Sequence, residues 1–339
     1  MTADKTVKHS NIALFVPHLG CPHRCSFCDQ RAITGTTAAL TAADVDAAVE
    51  QALSGGRYDP ANGQIAFFGG SFTAIDRGYM LELLRVANRH VRLGHAAGIR
   101  VSTRPDAVSE EVLKLLRQYG VTAVELGAQS MRETVLTHNG RGHTAVQTVQ
   151  ACEAVRRQGM ELGLQMMTGL YGDDDAGALD TARQFVALRP DTVRIYPTVV
   201  LRNTRLHRLY QSGVYRPQTV EQAVELGARL LELFIEAGIL VIRFGLHSVD
   251  MGQLVDGPWH PALAQLAYGR VYLDRAQQAL DGCPAGAYIL RVHPAEISTM
   301  IGQKRGNIAK LADAGYKCIV KGDPDVVKYQ VRAVQQEGM

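Results

Sequence analysis

The chain has 339 residues, 46% hydrophobic and 20% charged, which excludes a disordered or fibrous chain and leaves ample length for a self-supporting core. The formal charge of +3 selects neither a nucleic acid nor an anionic small molecule as partner. No apolar run reaches the roughly 20 residues of a membrane span, and the polar start, MTADKTVKHS, has no hydrophobic stretch of the kind that leads export. A cytoplasmic protein with no membrane partner is expected.

Short apolar runs at 12–16, 65–68, 99–102, 121–126, 162–166 and 193–196 predict buried strands. Amphipathic stretches at 41–53, 77–93, 109–119, 144–159 and 176–188 predict the helices between them. Thr41 is suited to cap the first, and Ser109 with Glu110 and Glu111 makes an acidic helix start. A repeated strand–helix unit calls for parallel strands joined by right-handed crossovers. Six units leave two architectures, a closed or partial barrel and an open doubly wound sheet. A helix at 220–237 and a strand at 239–243 offer a seventh unit. The pattern changes after His247. Gly257-Pro258 breaks the chain, 260–279 reads as a helix, and from Ala287 onward the order is strand, helix, helix, strand, helix. The expected division is a barrel over 1–247 and a small α+β appendage over 248–339.

Three of the six cysteines fall within eight residues, in Cys21-Pro22-His23-Arg24-Cys25-Ser26-Phe27-Cys28. In a reducing compartment such a cluster reads as a metal site rather than a disulfide framework. Thiolates suit iron–sulfur clusters and zinc. Electron-transfer clusters use four cysteines, and no fourth lies nearby, so one iron of a 4Fe-4S cluster would stay open to another ligand. Zinc held with His18 or His23, and coincidental core cysteines, are the competing readings. Cys152, Cys283 and Cys318 are isolated and read as packing residues.

The remaining polar motifs also follow strand ends. They are Phe68-Gly69-Gly70-Ser71, Ser102-Thr103-Arg104-Pro105-Asp106, Gly127-Ala128-Gln129-Ser130, Met166-Met167-Thr168-Gly169 and Tyr196-Pro197-Thr198. In a parallel barrel these positions share the face where active sites sit, which favours the partial (β/α)6 barrel. Each motif keeps two readings. Gly69-Gly70 is a close-approach loop or a plain turn. Arg104 and Asp106 are a ligand-facing pair or an internal salt bridge. Gln129 and Ser130 bind ligand or bond within their loop. Met166 and Met167 line a pocket or fill the core. His143 is functional or a cap.

The cysteine spacing, with Phe27 before the last cysteine, resembles the radical S-adenosylmethionine superfamily. The resemblance implies the radical-SAM type of barrel, a 4Fe-4S cluster on Cys21, Cys25 and Cys28, and S-adenosylmethionine as cofactor. It also implies reductive cleavage to a 5′-deoxyadenosyl radical and an electron donor such as flavodoxin or ferredoxin. Phe27 would then lie near the adenine, and Gly69, Gly70 and Ser71 at the amino group, with Ser71 where many members have Glu. Arg104, Gln129 and Ser130 would approach the ribose, carboxylate or methionine part. No residue is assigned to hydrogen abstraction.

Four strings, Ser102–Asp106, Val124–Ser130, Arg141–Thr144 and Arg194–Thr198, further resemble the Elongator catalytic-subunit branch over roughly residues 11–247. That branch has a wider gap between its first two cysteines and an acetyltransferase domain, for which the residues after His247 are too few. The radical domain and an RNA substrate, transfer RNA, carry over as expectations. Gly302-Gln303-Lys304-Arg305-Gly306 is similar to the backbone-clamping loop of KH domains, with its second glycine one residue late. Lys304 and Arg305 either contact phosphates or form a solvated basic turn. The competing functions are a radical enzyme acting on a small molecule such as a porphyrin precursor, and a non-catalytic iron–sulfur or zinc RNA-binding protein.

Overall fold

Seven parallel strands lie side by side in the order in which the chain makes them. In this computed structural model, which describes residues 10–16, 25–28, 38–246 and 250–336, they are β1 (Ser10–Val16), β2 (Gly63–Gly69), β3 (Gly98–Thr103), β4 (Val121–Gln129), β5 (Glu161–Thr168), β6 (Thr192–Pro197) and β8 (Leu240–Phe244). A two-residue β7 (Val200–Leu201) pairs antiparallel with β9 (Leu254–Asp256) outside that sheet. A doubly wound sheet reverses its strand order at a switch point. This one never does, so right-handed crossovers place the connecting helices on one face. Among the described residues β1 pairs with β2 and β8 with β6, leaving the curled sheet a half-barrel. The seventh unit is present, and its strand is the last of the row.

The helices are α1 (Ala42–Ser54), α2 (Arg77–Arg92), α3 (Glu110–Gln118), the short α4 (Glu133–His138), α5 (Ala145–Arg157), α6 (Asp175–Leu188), α7 (Arg205–Gln211) and α8 (Val220–Glu236). Thr41, Thr144 and Thr219 each cap a helix with a full capping box, which satisfies two backbone donors that the first turn leaves free. Strand residues that face the helices are apolar and buried, among them Ile65, Phe67, Val101, Leu126, Leu164 and Ile195. Burying such side chains stabilises by about 2 kcal/mol each.

The helix α9 (Leu263–Leu280) joins two cores. Ala267 and Val271 belong to the barrel core, whereas Tyr272, Leu273, Ala276 and Leu280 belong to a second one. That second core is completed by β10 (Gly286–Val292), α10 (Ile297–Ile301), α11 (Gly306–Asp313), β11 (Tyr316–Gly322) and β12 (Arg332–Gln335). The sheet order is β11-β10-β12, parallel on one side and antiparallel on the other. The last segment is therefore a strand, where the sequence pattern predicts a helix. Its alternation places Ala333 opposite Leu290 toward the core and Val334 opposite Ile289 on the other face, which is a period of two rather than 3.6.

Candidate active site

Among the described residues, Cys25 and Cys28 occupy the segment after β1, both half-buried and free of disulfides. Cys21, His18 and His23 lie outside the described residues. The segment is fastened by its buried serine. Ser26 donates its backbone N–H to the Asn139 carbonyl at 2.9 Å and its hydroxyl to Asn139 Oδ1 at 2.6 Å. The Asn139 amide donates onward to the carbonyls of Val135 and Tyr171, and the Ser26 carbonyl accepts from Leu206 N–H at 2.8 Å. The cysteine segment is thus held by the loops beyond β4 and β5 and by the start of α7. Phe27 packs against two apolar clusters, one of Val135, Met167 and Leu170, which Tyr196 also joins, and one of Val200, Leu206 and Tyr215.

Arg141 links the cysteines to the sheet. Its Nη1 donates to Cys25 Sγ at 3.3 Å and its Nη2 donates to the Gly127 carbonyl. Arg141 thereby fixes the Cys25 sulfur relative to the end of β4. The Arg141 carbonyl accepts from Arg104, which also grips Asp106 with two bonds of 2.9 and 3.0 Å. The fork geometry of that pair is the strong form of an ion pair. His143, next along, donates Nε2–H to the Ala128 carbonyl at 3.2 Å, which fixes the neutral tautomer. Burial, and then Arg141 and Arg104, lower its pKa from the usual 6.5 to about 4.

The glycine loop has a structural cause of its own. Gly69 has φ +107°, and a Cβ there would sit 2.4 Å from the Val16 carbonyl oxygen. Gly70 donates its N–H to that oxygen at 3.2 Å. Ser71 is fully engaged, with its hydroxyl 2.7 Å from Thr103 Oγ1 and accepting from Arg104 N–H at 3.2 Å. Ser130 likewise accepts from Arg132 N–H at 3.1 Å. Gln129 is different. It is buried at φ +67°, and among the described residues its Oε1 meets no donor. Arg104 Nη1 and Arg141 Nε are similarly buried without an acceptor. Buried polar atoms without partners are rare and costly, so this cradle suits a polar ligand. Soft thiolates, a cation against one of them and unsatisfied polar atoms beside a close-packed glycine turn fit an iron–sulfur cluster with a zwitterionic cofactor. Met166 faces the helix-side core, and Met167 faces inward under Phe27.

Below this mouth, the inner face of the sheet carries charges that the sequence reading did not single out. Glu125, buried on β4, accepts from Arg194 at 2.8 Å, from Ser102 at 3.2 Å and from Gln165, and lies 3.7 Å from Arg100. Arg100 also pairs with Glu161 at 2.5 Å and with Gln64 at 2.8 Å. The Arg194 guanidinium stands over the Phe68 ring, 5.0 Å from its centroid, a favourable cation–π placement. A signal for this network was present, because polar residues alternate within otherwise apolar strands at Arg100 and Ser102, at Glu125, and at Gln165. Asn139 and Arg141 left only a weak signal, since their partners are about 115 residues distant in sequence.

The sequence profile of the Radical SAM superfamily matches residues 15–185, half of the chain, and that of the Radical_SAM C-terminal domain matches residues 190–274. The chain belongs to the radical S-adenosylmethionine superfamily. It is accordingly an enzyme, and the cofactors of the family are a 4Fe-4S cluster and S-adenosylmethionine. Among curated relatives it is similar to Elongator complex protein 3 of Mus musculus, with 32% identity over 180 residues, 51% of this chain and 32% of that protein. It is similar too to the tRNA uridine(34) acetyltransferase of Methanocaldococcus jannaschii, with 31% identity over 129 residues, 37% of this chain and 24% of that protein. The match thus spans about a third of the length of these curated relatives or less. A solved structure of an N-terminally truncated archaeal Elp3 from Methanocaldococcus infernus superposes with a TM-score of 0.63 at 20% identity, covering 78% of this chain and 62% of that one. At that identity the superposition shows the shared half-barrel fold. Among the described residues no helix is long and apolar enough to cross a membrane.

Proposed function

We propose that this radical S-adenosylmethionine enzyme modifies RNA, with transfer RNA as its substrate class. Cys21, Cys25 and Cys28 hold the cluster, and Gly70, Arg104, Gln129 and Phe27 surround the cofactor. The observation that carries the site is the bond from Arg141 to Cys25 Sγ, within a set of motifs drawn from the ends of β1 to β5. The RNA substrate is supported by the tRNA-modifying relative and the Elongator-like strings. When bound, the reduced cluster supplies the electron that cleaves S-adenosylmethionine to methionine and a 5′-deoxyadenosyl radical. The chain's own part is to orient and to shield. Arg141 fixes Cys25, Ser26 and Asn139 pin the loop that carries Cys25 and Cys28, and Phe27 with Met167 and Tyr196 gives the cofactor a dry wall. Neutral His143 leaves the mouth without a further cation.

The test is anaerobic reconstitution, followed by nucleoside analysis of bulk transfer RNA incubated with dithionite and S-adenosylmethionine. Wild type is expected to release 5′-deoxyadenosine and to yield a new nucleoside. Cys25→Ala and Cys28→Ala are expected to yield neither, with iron content well below four per chain. Stoichiometric zinc in a colourless protein overturns the cluster. 5′-Deoxyadenosine without any altered nucleoside overturns the RNA substrate. A second reading, an anionic small molecule, is favoured by one observation. Arg243 lies opposite Arg194 on the inner face and has no carboxylate partner among the described residues. Turnover of a porphyrin precursor without RNA would select that reading.

A further inference from the structure

The sheet of the second core has helices on only one side. Tyr288, Leu290, Val292 and Cys318 face α9, α10 and α11. The opposite face is open, and the register arranges it in rows. Ile289 stands between Ile319 on β11 and Val334 on β12, and both outer residues are 44% exposed. One step along, Arg291 stands between Lys321 and Arg332. At the other end of the same face, Lys317 is opposite Ala287. Lys317, Lys321 and Arg332 are exposed, and among the described residues none of them makes an ion pair. Arg291 alone reaches a carboxylate, Asp323 at 3.3 Å.

Like charges directly opposite one another across strands destabilise a sheet. Three adjacent cations in one row, with Asp323 beside only the central one, therefore cost some stability, which an anion laid across the outer two would offset. The imbalance extends to the whole unit. Residues 286–336 hold eight Lys and Arg against four Asp and Glu, a net +4, whereas the entire chain carries +3. The remainder of the molecule is thus slightly negative.

We propose that this open face binds single-stranded RNA, with Lys317, Lys321, Arg291 and Arg332 on phosphates and the Ile289–Ile319–Val334 row against bases or riboses. The inference rests on the RNA reading above and names where the polymer docks. RNA fits better than an acidic protein segment for two reasons. Its backbone presents a charge at every nucleotide, matching a row in which only the central cation has a carboxylate beside it. Protein interfaces are depleted in lysine, yet two of the four cations here are lysines. Strands 4.8 Å apart put the outer cations of the row roughly 10 Å from each other, a span that several nucleotides can follow.

The experiment measures bulk transfer RNA binding by fluorescence anisotropy at four salt concentrations. It compares the anaerobically reconstituted full chain with a Lys317→Ala/Lys321→Ala/Arg332→Ala variant and an Ile319→Ser/Val334→Ser variant. The triple variant is expected to bind at least tenfold more weakly, with a salt dependence shallower by about 2 in log–log slope, at about 0.7 per lost contact. The double variant is expected to weaken binding with the slope unchanged. Both should cleave S-adenosylmethionine without RNA at the wild-type rate, which shows that they fold. Wild-type affinity and slope in the triple variant would overturn this face while leaving the RNA reading intact. No RNA binding by wild type would overturn both. Tighter binding of polyglutamate than of RNA of equal charge would assign the face to an acidic protein instead.

Discussion

On the inner face of the large sheet, Arg100 and Arg194 converge on Glu125 and Glu161, all but the last almost wholly buried. On the open face of the small sheet, Lys317, Lys321 and Arg332 make no ion pair among the described residues. The difference follows from solvation. Removing an ion from water costs several kcal/mol, so buried cations persist only beside anions and hydrogen-bond acceptors. Exposed cations keep most of their water, so the mutual repulsion of an exposed row costs far less than an unpaired buried charge. The two regions should therefore respond to different perturbations, the inner network to loss of a partner and the outer face to salt.

The largest expected effect is at Glu125. Glu125→Ala leaves Arg194 buried without its anion and deprives Ser102 and Gln165 of their acceptor. A loss of about 3–5 kcal/mol is expected, as for removal of one partner from a buried pair. Urea denaturation measures it. A loss below about 1 kcal/mol would mean that water reaches Arg194, and the contrast between the two faces would then fail.

How much of this was legible in the sequence differs between the regions for the same physical reason. Barrel strands buried on both sides read as apolar runs, so their order and the strand-end placement of Cys25, Gly69, Arg104 and Gln129 could be read directly. The seventh strand, Leu240–Phe244, followed from its helix. The Glu125 network was not singled out, because single polar residues inside apolar strands gain meaning only when register sets them side by side. Ser26 with Asn139 and Arg141 with Cys25 are joined by tertiary contact alone. The close packing of Gly69 against the Val16 carbonyl was also hidden, since that contact crosses from β2 to β1. In the tail, the sequence pattern predicts a final helix where β12 lies, because four residues, Arg332–Gln335, are too few to show either period. Only the pairing with β10 decides it.

The second prediction concerns His143, 4% exposed beside Arg141 and Arg104. Its pKa is lowered to about 4 in the folded chain, against the usual 6.5. The unfolded chain thus binds a proton between those values while the folded one does not. The stability tied to this residue is present above pH 6.5 and is lost as pH falls toward 4. The amount is about 3 kcal/mol. His143→Gln keeps a polar group near the Ala128 carbonyl but cannot titrate. Urea midpoints of wild type and variant should therefore converge as pH falls from 7 to 4.5. Parallel curves would show that His143 is reached by water or bears its charge in the fold, and would weaken the picture of a dry mouth.

The smallest effect is expected in the loop between α10 and α11, and its sign is informative. Lys304 and Arg305 both adopt left-handed backbone, with φ of +50° and +60°. A side chain in that region costs about 1–2 kcal/mol relative to ordinary backbone, and glycine avoids the penalty. Glycine also gives the unfolded chain more freedom, which offsets part of the gain. Lys304→Gly/Arg305→Gly should thus raise stability slightly, by about 1 kcal/mol in all. If the two cations contact phosphate, the same variant should weaken RNA binding severalfold and make its salt dependence shallower by about 1 to 2. Stability and binding would move in opposite directions, as expected where strain is kept for the sake of the side chains it presents. A solvated basic turn predicts the stability gain with RNA affinity and salt slope unchanged. In that case RNA contact would be confined to the open sheet face, and the two basic parts of the small unit would have separate roles.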